Sequence, residues 1–451
     1  MSAAQQSPRA PTLKQRLPGW FPSGYLDIAQ VMGGNLSRNA LRGVLKVLIA
    51  GYLSPAGLGI LRSVFSLFKI VTGLVDLGLD YAMVTFLSGA IERRQEPEQA
   101  RILGTVLALK LWIALAVLLL GNLLAPWITL WALSDPSLTV YTRLVFVAVG
   151  GQLLWRYLSS YLAACQTYTR LALFLSTTPL LMMVVFLALL LLDAFDLPLA
   201  IGMYLFAPLA TALLWWPALG RRLRLRGGWS TELARQIVGF SRWVYISNAT
   251  SATRNNLNPI LLKNARLSGS VEWGEIQAGL YGFGNDLAAE VTVLSQSLLP
   301  VLLPKAAAQS STESLRRFVL RSYRHLLPLL IPFALLGFAA RPFLLLLSYF
   351  KSSYLEYLPS VDVFAILYAG ALFSVAAIPM QAALYALRRP QVETIIELST
   401  IAFLVAGSIL IIPHYGAEGA ALLIFLQRLV AFVALMTSGF RRLKNAGAVA
   451  P

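Results

Sequence analysis

The sequence predicts an all-α integral membrane protein of about twelve spanning helices, arranged as two halves of six. Three observations carry this. Of 451 residues, 57% are hydrophobic and only 13% charged, with a mean hydropathy of +0.69, whereas soluble domains run at roughly 45–50% apolar and 25% charged. Twelve stretches are long and apolar enough for a crossing of about 20 residues. Basic residues concentrate in alternate connections, as the positive-inside rule requires. Disordered, collagenous and disulfide-stapled proteins are excluded. One cysteine, Cys165, and two histidines, His325 and His414, leave few soft metal ligands.

The twelve stretches run approximately 25–52, 57–86, 102–124, 138–163, 170–192, 197–219, 235–262, 276–303, 319–340, 359–386, 392–412 and 417–440. Continuous runs such as Leu180–Leu192 lack the alternation of a membrane barrel. Residues 1–24 hold Pro8, Pro11, Pro18 and Pro22 but no apolar core. They read as a cytoplasmic tail and not as a cleavable signal peptide. The first lobe is expected over 25–219 and the second over 235–440. Residues 220–234, with Arg221, Arg222, Arg224 and Arg226, form a basic linker, and 441–451 form a second tail. The linker reads either as a topology-fixing retention loop or as a hinge or lipid-surface contact.

With the N-terminus placed inside, the cytoplasmic segments hold 22 Lys and Arg, and the opposite loops hold only Lys263, Arg266, Arg341 and Lys351. Both termini are therefore expected to be cytoplasmic. Ala125–Ser137 and Asp193–Pro198 are expected as external connections, with Trp127 and Trp131 as an interfacial belt.

Eleven basic residues fall inside spans. Full lipid exposure of all eleven would cost on the order of 30 kcal/mol, so the central ones must face partners or a water-filled cavity. Arg38, Arg42 and Lys46 lie at i, i+4 and i+8 on the first helix and form one stripe. Arg62, Lys69, Asp76 and Asp80 are expected on one face of a continuous second helix, with Lys69–Asp76 as one internal ion pair. Gln152 and Arg156 lie on helix four, with Tyr157 and Tyr161 beside them. Arg254 with Asn255 and Asn256 lies on helix seven, and Asp286 and Glu290 on helix eight. These polar stripes can converge only on a shared interior, mixed in charge but net positive. Such a cavity suits an anionic substrate, because Arg grips phosphate oxygens bidentately. Internal ion pairing is the alternative for each single residue, though eleven cations face few acids.

Trp215, Trp216, Tyr349, Phe350, Tyr354 and Tyr357 read as interface anchors or as sugar-stacking faces. His414, in the expected turn IIPHYGAEG, and Cys165 read as structural. No external loop is large, and none carries a paired-carboxylate constellation, so an enzyme is not expected. No Gly-rich phosphate loop is present, so ATP is not expected to drive the protein directly. With no cofactor expected, a proton or sodium gradient or the membrane potential is the energy source. Asp286 with Glu290, or Asp76 with Asp80, are the candidate coupling pairs.

Ser37-Arg38-Asn39 and Thr253-Arg254-Asn255 lie 216 residues apart in the first helix of each half, which suggests a parallel repeat. Leu53-Ser54-Pro55 precedes Gly57-Leu58-Gly59 and Asp76-Leu77-Gly78. LLPVLLPKAAA occupies 298–308, and Tyr415-Gly416-Ala417-Glu418-Gly419 precedes the last helix. With these motifs in this order over most of 25–440, the chain resembles a polysaccharide exporter or lipid-linked oligosaccharide flippase of the multidrug/oligosaccharidyl-lipid/polysaccharide exporter superfamily. The resemblance implies a V of two lobes in the inner membrane that alternates between inward and outward openings. It implies a polyprenyl-linked glycan as cargo, for cell-surface polysaccharide such as lipopolysaccharide or exopolysaccharide. Glycosyltransferases or a polymerase of the same pathway are the implied partners, and no nucleic acid. Headgroup-binding candidates are Arg38, Arg42, Lys46, Arg62, Lys69, Arg156 and Arg254, with Asn39, Gln152, Asn255 and Asn256 in the polar cavity. A cation-drug antiporter of the same fold and a membrane polymerase or glycosyltransferase are the competing readings. The Arg38/Arg42/Lys46 stripe would repel cationic drugs.

Overall fold

The structure, a computed structural model, describes residues 23–220, 228–265, 270–307, 309, 311–387 and 391–445. The linker arginines 221–226 and the N-terminal tail lie outside these residues. Among the described residues the chain is all helix and turn. The first lobe comprises α1 (Ser23–Tyr52), α2 (Pro55–Val75), α3 (Leu79–Glu92), α4 (Glu96–Leu133), α5 (Thr139–Ala164), α6 (Tyr168–Leu191) and α7 (Leu197–Gly220). The second comprises α8 (Thr231–Asn264), α9 (Val271–Ala307), α10 (Thr312–Leu336), α11 (Ala340–Phe350), α12 (Ser360–Ala386) and α13 (Gln391–Asn445). α2 with α3 makes one crossing, as does α10 with α11. α13 bends at Gly416 (φ 51°) into two crossings, so the total is twelve.

Eight stretches qualify as membrane spans by length and hydropathy alone, and α1, α8 and α9 are not among them. Those three carry Arg38, Arg42, Lys46, Arg254, Asp286 and Glu290. Their reduced hydropathy marks helices that turn polar faces to the molecule's interior instead of to lipid.

Helix ends are specified locally. The Ser54 hydroxyl caps α2 by accepting from Gly57 N at 3.2 Å, and Pro55 occupies the first turn, where no donor is needed. Ser230 caps α8, and Ser311 with Ser314 forms a reciprocal capping box on α10. At the bend of α13, Gln277 Oε1 on α9 accepts from the freed Ala417 N at 2.8 Å. His414 therefore lies in helix just before this bend and not in an open turn.

The sequence reading is corrected at two further places. Helix two is not continuous. Leu77 (φ 51°) and Gly78 (φ 73°) adopt left-handed backbone, so Asp76 ends α2 and Asp80 begins a differently directed helix. Lys69 and Asp76 both precede the break, seven residues apart, and Asp76 pairs instead with Lys110 and Arg156. The region 125–133 is not a loop, because α4 continues to Leu133. Trp127 and Trp131 project from that helix, 61% and 86% exposed, which suits contact with the bilayer interface.

The lobes meet along α1 and α2 against α8 and α9. α2 crosses α9 at paired glycines. A Cβ on Gly59 would strike the Glu275 carbonyl oxygen, and one on Gly279 would strike that of Pro55. Small residues let these backbones touch, a common device between membrane helices. Nearby, side chains of the second lobe bond to backbone carbonyls at and just after the end of α1. Ser353 Oγ donates to Gly51 O at 2.6 Å, Tyr354 OH to Val47 O at 3.0 Å and Tyr357 OH to Leu53 O at 2.8 Å. Tyr354 and Tyr357 thus serve as inter-lobe pins and not as sugar platforms. Tyr349 and Phe350 stay outward, 87% and 76% exposed.

The crossing sets a testable expectation. Gly279→Val should overpack the lobe contact by about 1–3 kcal/mol and lower the thermal midpoint of the purified protein. Gly202→Ala, with nothing within 4 Å of the added carbon, should leave it unchanged or slightly raised. Equal midpoints for the two variants would remove the crossing as a constraint.

Candidate functional site

Two charge clusters lie inside the membrane-spanning region. The first belongs to the first lobe and forms around the break in helix two. Lys110, in the otherwise apolar middle of α4, reaches Asp76 Oδ1 at 2.9 Å and Asp80 Oδ1 at 2.8 Å. Arg156 on α5 completes it at 3.6 Å from Asp76 and 3.3 Å from Asp80. Two cations meet two carboxylates, so the cluster is neutral overall. Asp76 and Lys110 are only 1% and 2% exposed. Arg156 is thereby drawn from the headgroup candidates into a structural network. Tyr157 next to it donates to Leu103 O at 3.1 Å, and Gln152 is buried one turn earlier on the same helix.

The second cluster spans the lobes. Asp286 on α9 accepts Lys46 of α1 at 3.1 Å and pairs with Arg62 of α2. Glu290, one turn on, lies 4.0 Å from Lys46, with its side chain 39% exposed. Arg62 also stacks over the Tyr204 ring, 5.7 Å from its centroid. Arg42 senses the charges of Arg38 and Glu290, and Lys69 those of Arg42, Arg156 and Lys46. Lys69 also sits 5.0 Å from the Phe65 centroid. Five cations, Arg38, Arg42, Lys46, Arg62 and Lys69, thus lie on α1 and α2, and of these Lys46 and Arg62 contact the two carboxylates. Among the described residues Arg38, Arg42 and Lys69 have no carboxylate within ion-pair range. The i, i+4, i+8 stripe of α1 is what places three of the five on one face.

Beside this cluster opens a cleft of ≈ 370 Å³ between α1, α9 and α11. Val44, Val47, Leu48, Phe343 and Leu347 form its walls, and Lys46, Asp286 and Glu290 border it, while its open surface is apolar. An apolar cleft thus adjoins the charged cluster. Asn39 is half-buried on α1.

The remaining candidates separate from this centre. Arg254 and Asn255 line a distinct cavity inside the second lobe. Asn256 turns back to its own helix, donating to Ala252 O at 2.8 Å. The repeat explains the difference. Arg38 lies 14 residues before the end of α1 and Arg254 lies 10 before the end of α8, about one turn out of register. Sequence reasoning did not single out Lys110 as the partner of both aspartates. A lone Lys amid LALKLWIALA, which needs an acidic partner inside the membrane, was the available signal. Tyr204 beneath Arg62 carried no such signal. The described residues hold no cluster of three or more His, Cys, Asp or Glu suited to a metal ion.

Removing Lys110 would strand two buried carboxylates, a loss of about 3–5 kcal/mol for a broken buried pair. Lys110→Met should therefore cut the yield of folded protein sharply. Lys110→Met combined with Asp76→Asn should restore much of it. Monodisperse yield by size exclusion checks this, and an undiminished single variant would refute a structural role for the cluster.

The fold has solved counterparts. An inward-facing multidrug resistance MATE family transporter of the MOP superfamily matches with a TM-score of 0.71 at 15% identity, covering 92% of this chain and 96% of that one. An outward-facing structure of such a transporter gives 0.57 at 14%, covering 93% and 96%. A mutant of the Vibrio cholerae MATE transporter VcmN gives 0.59 at 15%, covering 93% and 98%. At these identities the likeness establishes the fold, a V of two six-helix lobes. No curated protein matches the chain. Residues 48–359, more than half of the chain, match the family described as "Polysaccharide biosynthesis protein". Carried on this multi-pass helical membrane scaffold, that match makes the chain a member of the polysaccharide biosynthesis protein family.

Proposed function

We propose that the protein is a flippase that moves a polyprenyl-(pyro)phosphate-linked oligosaccharide across the cytoplasmic membrane by alternating access, for cell-surface polysaccharide synthesis. The observation that carries this reading is the excess of cations on α1 and α2: Lys46 and Arg62 pair with Asp286 and Glu290, and among the described residues Arg38, Arg42 and Lys69 have no carboxylate within ion-pair range. Such an excess inside a bilayer calls for an anion, and guanidinium forks match phosphate oxygens. Arg38 and Arg42, with Lys69, are the groups with charge to offer. The adjoining apolar cleft lets the lipid chain remain in hydrocarbon while the phosphate sits beside Lys46. A pyrophosphate there competes with Asp286 for Lys46 and Arg62. Binding then loosens the tie between α1, α2 and α9, favouring the alternate lobe arrangement by differential affinity. The same positive balance disfavours a cationic drug as cargo.

Energy comes in this reading from an ion gradient or the membrane potential. Glu290, at the limit of ion-pair range and partly exposed, is the carboxylate best placed to exchange a proton or bind sodium. Asp76 and Asp80 are neutralised by Lys110 and Arg156. Substrate flipping in proteoliposomes under imposed pH, sodium or voltage gradients tests both halves. Arg38→Ala/Arg42→Ala/Lys69→Ala should abolish most transport with a modest change in thermal midpoint, while Arg38→Lys retains part. Full transport by the triple variant removes the phosphate grip. A full gradient response by Asp286→Asn/Glu290→Gln removes coupling through α9.

The lobes are read as 25–219 and 235–440 joined by the basic segment 220–234, with both termini cytoplasmic. The 22-to-4 distribution of Lys and Arg supports this. In a Cys165→Ala background, Arg222→Cys and Lys444→Cys should react with an impermeant thiol reagent only from the cytoplasmic side, and Asp196→Cys only from outside. The reverse labelling would overturn the orientation.

A further inference from the structure

The second lobe contains a cavity of ≈ 480 Å³ between α8, α9, α12 and α13, within the range of small-molecule sites. Its lining is unlike an ordinary membrane-helix interface. Arg254 comes from α8 and Arg428 from the second arm of α13. Four primary amides, Asn255, Asn285, Gln381 and Gln427, share the wall, as do the rings of Phe373 and Phe432, which stand 5.5 Å apart. Hydrogen bonds fix parts of this lining. Gln427 Nε2 donates to Thr400 Oγ1 at 3.3 Å, and Asn258 Nδ2 donates to the Tyr281 hydroxyl at 3.0 Å.

Arg428 decides the chemistry. It donates to a neutral acceptor, Leu367 O, at 3.3 Å, and its stem lies over Gly370, where an added Cβ would approach Arg428 Cδ to 3.3 Å. Its guanidinium is thus positioned, while among the described residues no carboxylate pairs with it. Arg254 is close enough for the two like charges to interact. A positioned guanidinium without a carboxylate partner beside a membrane-embedded cavity favours an anionic guest, and Arg254 on the same wall adds like charge. Amides and hydroxyls that donate and accept, beside aromatic faces, favour a guest bearing many hydroxyl groups.

We propose that this cavity is a sugar-reading subsite that takes an acidic sugar residue, such as a uronic acid, of the transported glycan. The carboxylate pairs with Arg428 and Arg254, and the amides take the ring hydroxyls. The proposal rests on the flippase reading for its cargo, but it assigns a second site, separate from the phosphate-gripping cations of α1 and α2. It divides recognition: the lobe junction reads the lipid phosphate common to many cargoes, and the second lobe reads the glycan.

The test uses full-length protein in nanodiscs, with glucuronate, glucose and inorganic phosphate as probes and saturation-transfer NMR as the readout. Glucuronate should bind about tenfold or more tightly than glucose, the scale of one charge-assisted hydrogen-bonded pair. Arg428→Gln should erase that preference, Arg428→Lys should keep part of it, and Arg38→Ala/Arg42→Ala should leave it intact. Thermal midpoints confirm that each variant is folded. Glu393 and Glu397 fall within one turn of Ile396 and Thr400 on α13. Glu393→Gln/Glu397→Gln should keep or raise glucuronate binding. Equal binding of glucose and glucuronate, no detectable binding of either, indifference to Arg428→Gln, or loss of binding in the glutamate variant overturns the proposal. Displacement of glucuronate by an equal concentration of phosphate would show a plain anion site and overturn the sugar assignment. Flipping of a polyprenyl-pyrophosphate-linked neutral sugar that persists in Arg428→Gln and fails in the Arg38/Arg42/Lys69 variant leaves the flippase reading standing on its own.

Discussion

Hydrocarbon does not tolerate a lone charge, and that constraint organises this protein. A helix bearing Arg38, Arg42 and Lys46 cannot face lipid along that stripe. It must find a counter-surface, and Asp286 and Glu290 on α9 supply one. The pairing of α1 and α2 with α9 is therefore dictated by charge as much as by shape. Close packing at Gly59 and Gly279 then brings the backbones into contact. Apolar helices such as α6 and α7 are left to the lipid side, where their exposed leucines need no explanation. The same rule acts within the first lobe, where Lys110 draws α3, α4 and α5 around Asp76 and Asp80.

Much of this was legible because membrane helices announce themselves in composition. Among the described residues eight spans need only length and apolarity to be recognised, and α1, α8 and α9 do not meet that test. The second crossing was misread because periodicity assumes an unbroken helix. Asp76-Leu77-Gly78 reverses handedness for two residues, and no repeat of polar residues reveals where a backbone leaves the helical region. Gly78 was a cue, yet glycine is also common within membrane helices. The Lys69–Asp76 pair fails for a different reason: both residues precede the break, two turns apart, and Lys110 and Arg156 hold Asp76 from neighbouring helices. Trp127 and Trp131 lie on α4 and not on the expected loop, and both are exposed. Indole anchoring depends on depth in the bilayer and is indifferent to whether the backbone is helical.

The site was partly readable for a different reason. A stripe on one helix is a local property, so the Arg38, Arg42 and Lys46 face followed from spacing. Which cations remain in excess is not local. Arg156 and Arg62 looked equivalent in sequence, but one is tied into a neutral cluster and the other bridges the lobes. Arg254 looked like the counterpart of Arg38 through the shared Arg-Asn motif. A displacement of about one helical turn sends it instead into the second lobe's own cavity beside Arg428. Sequence similarity between halves fixes the helix, and register within the helix fixes the chemistry.

The two kinds of bond across the lobe junction differ in what can replace them. At the end of α1, Ser353, Tyr354 and Tyr357 donate to backbone carbonyls. If the lobes part there and water enters, each donor and acceptor finds a new partner at small net cost. At the level of Asp286 the contacts are ionic and largely shielded from solvent, with Arg62 only 8% exposed. Separating Asp286 from Lys46 and Arg62 leaves charges that a few waters stabilise poorly, and a buried pair loses several kcal/mol when one partner goes. A second anion changes that balance, since a phosphate can take over the cations as the carboxylate withdraws. The hydrogen-bonded end then opens readily only after the ionic centre has exchanged its partner. In the proposed flippase, an empty carrier held shut by Asp286 would not rock idly, and the excess of cations proposed to grip the phosphate would also make the exchange possible.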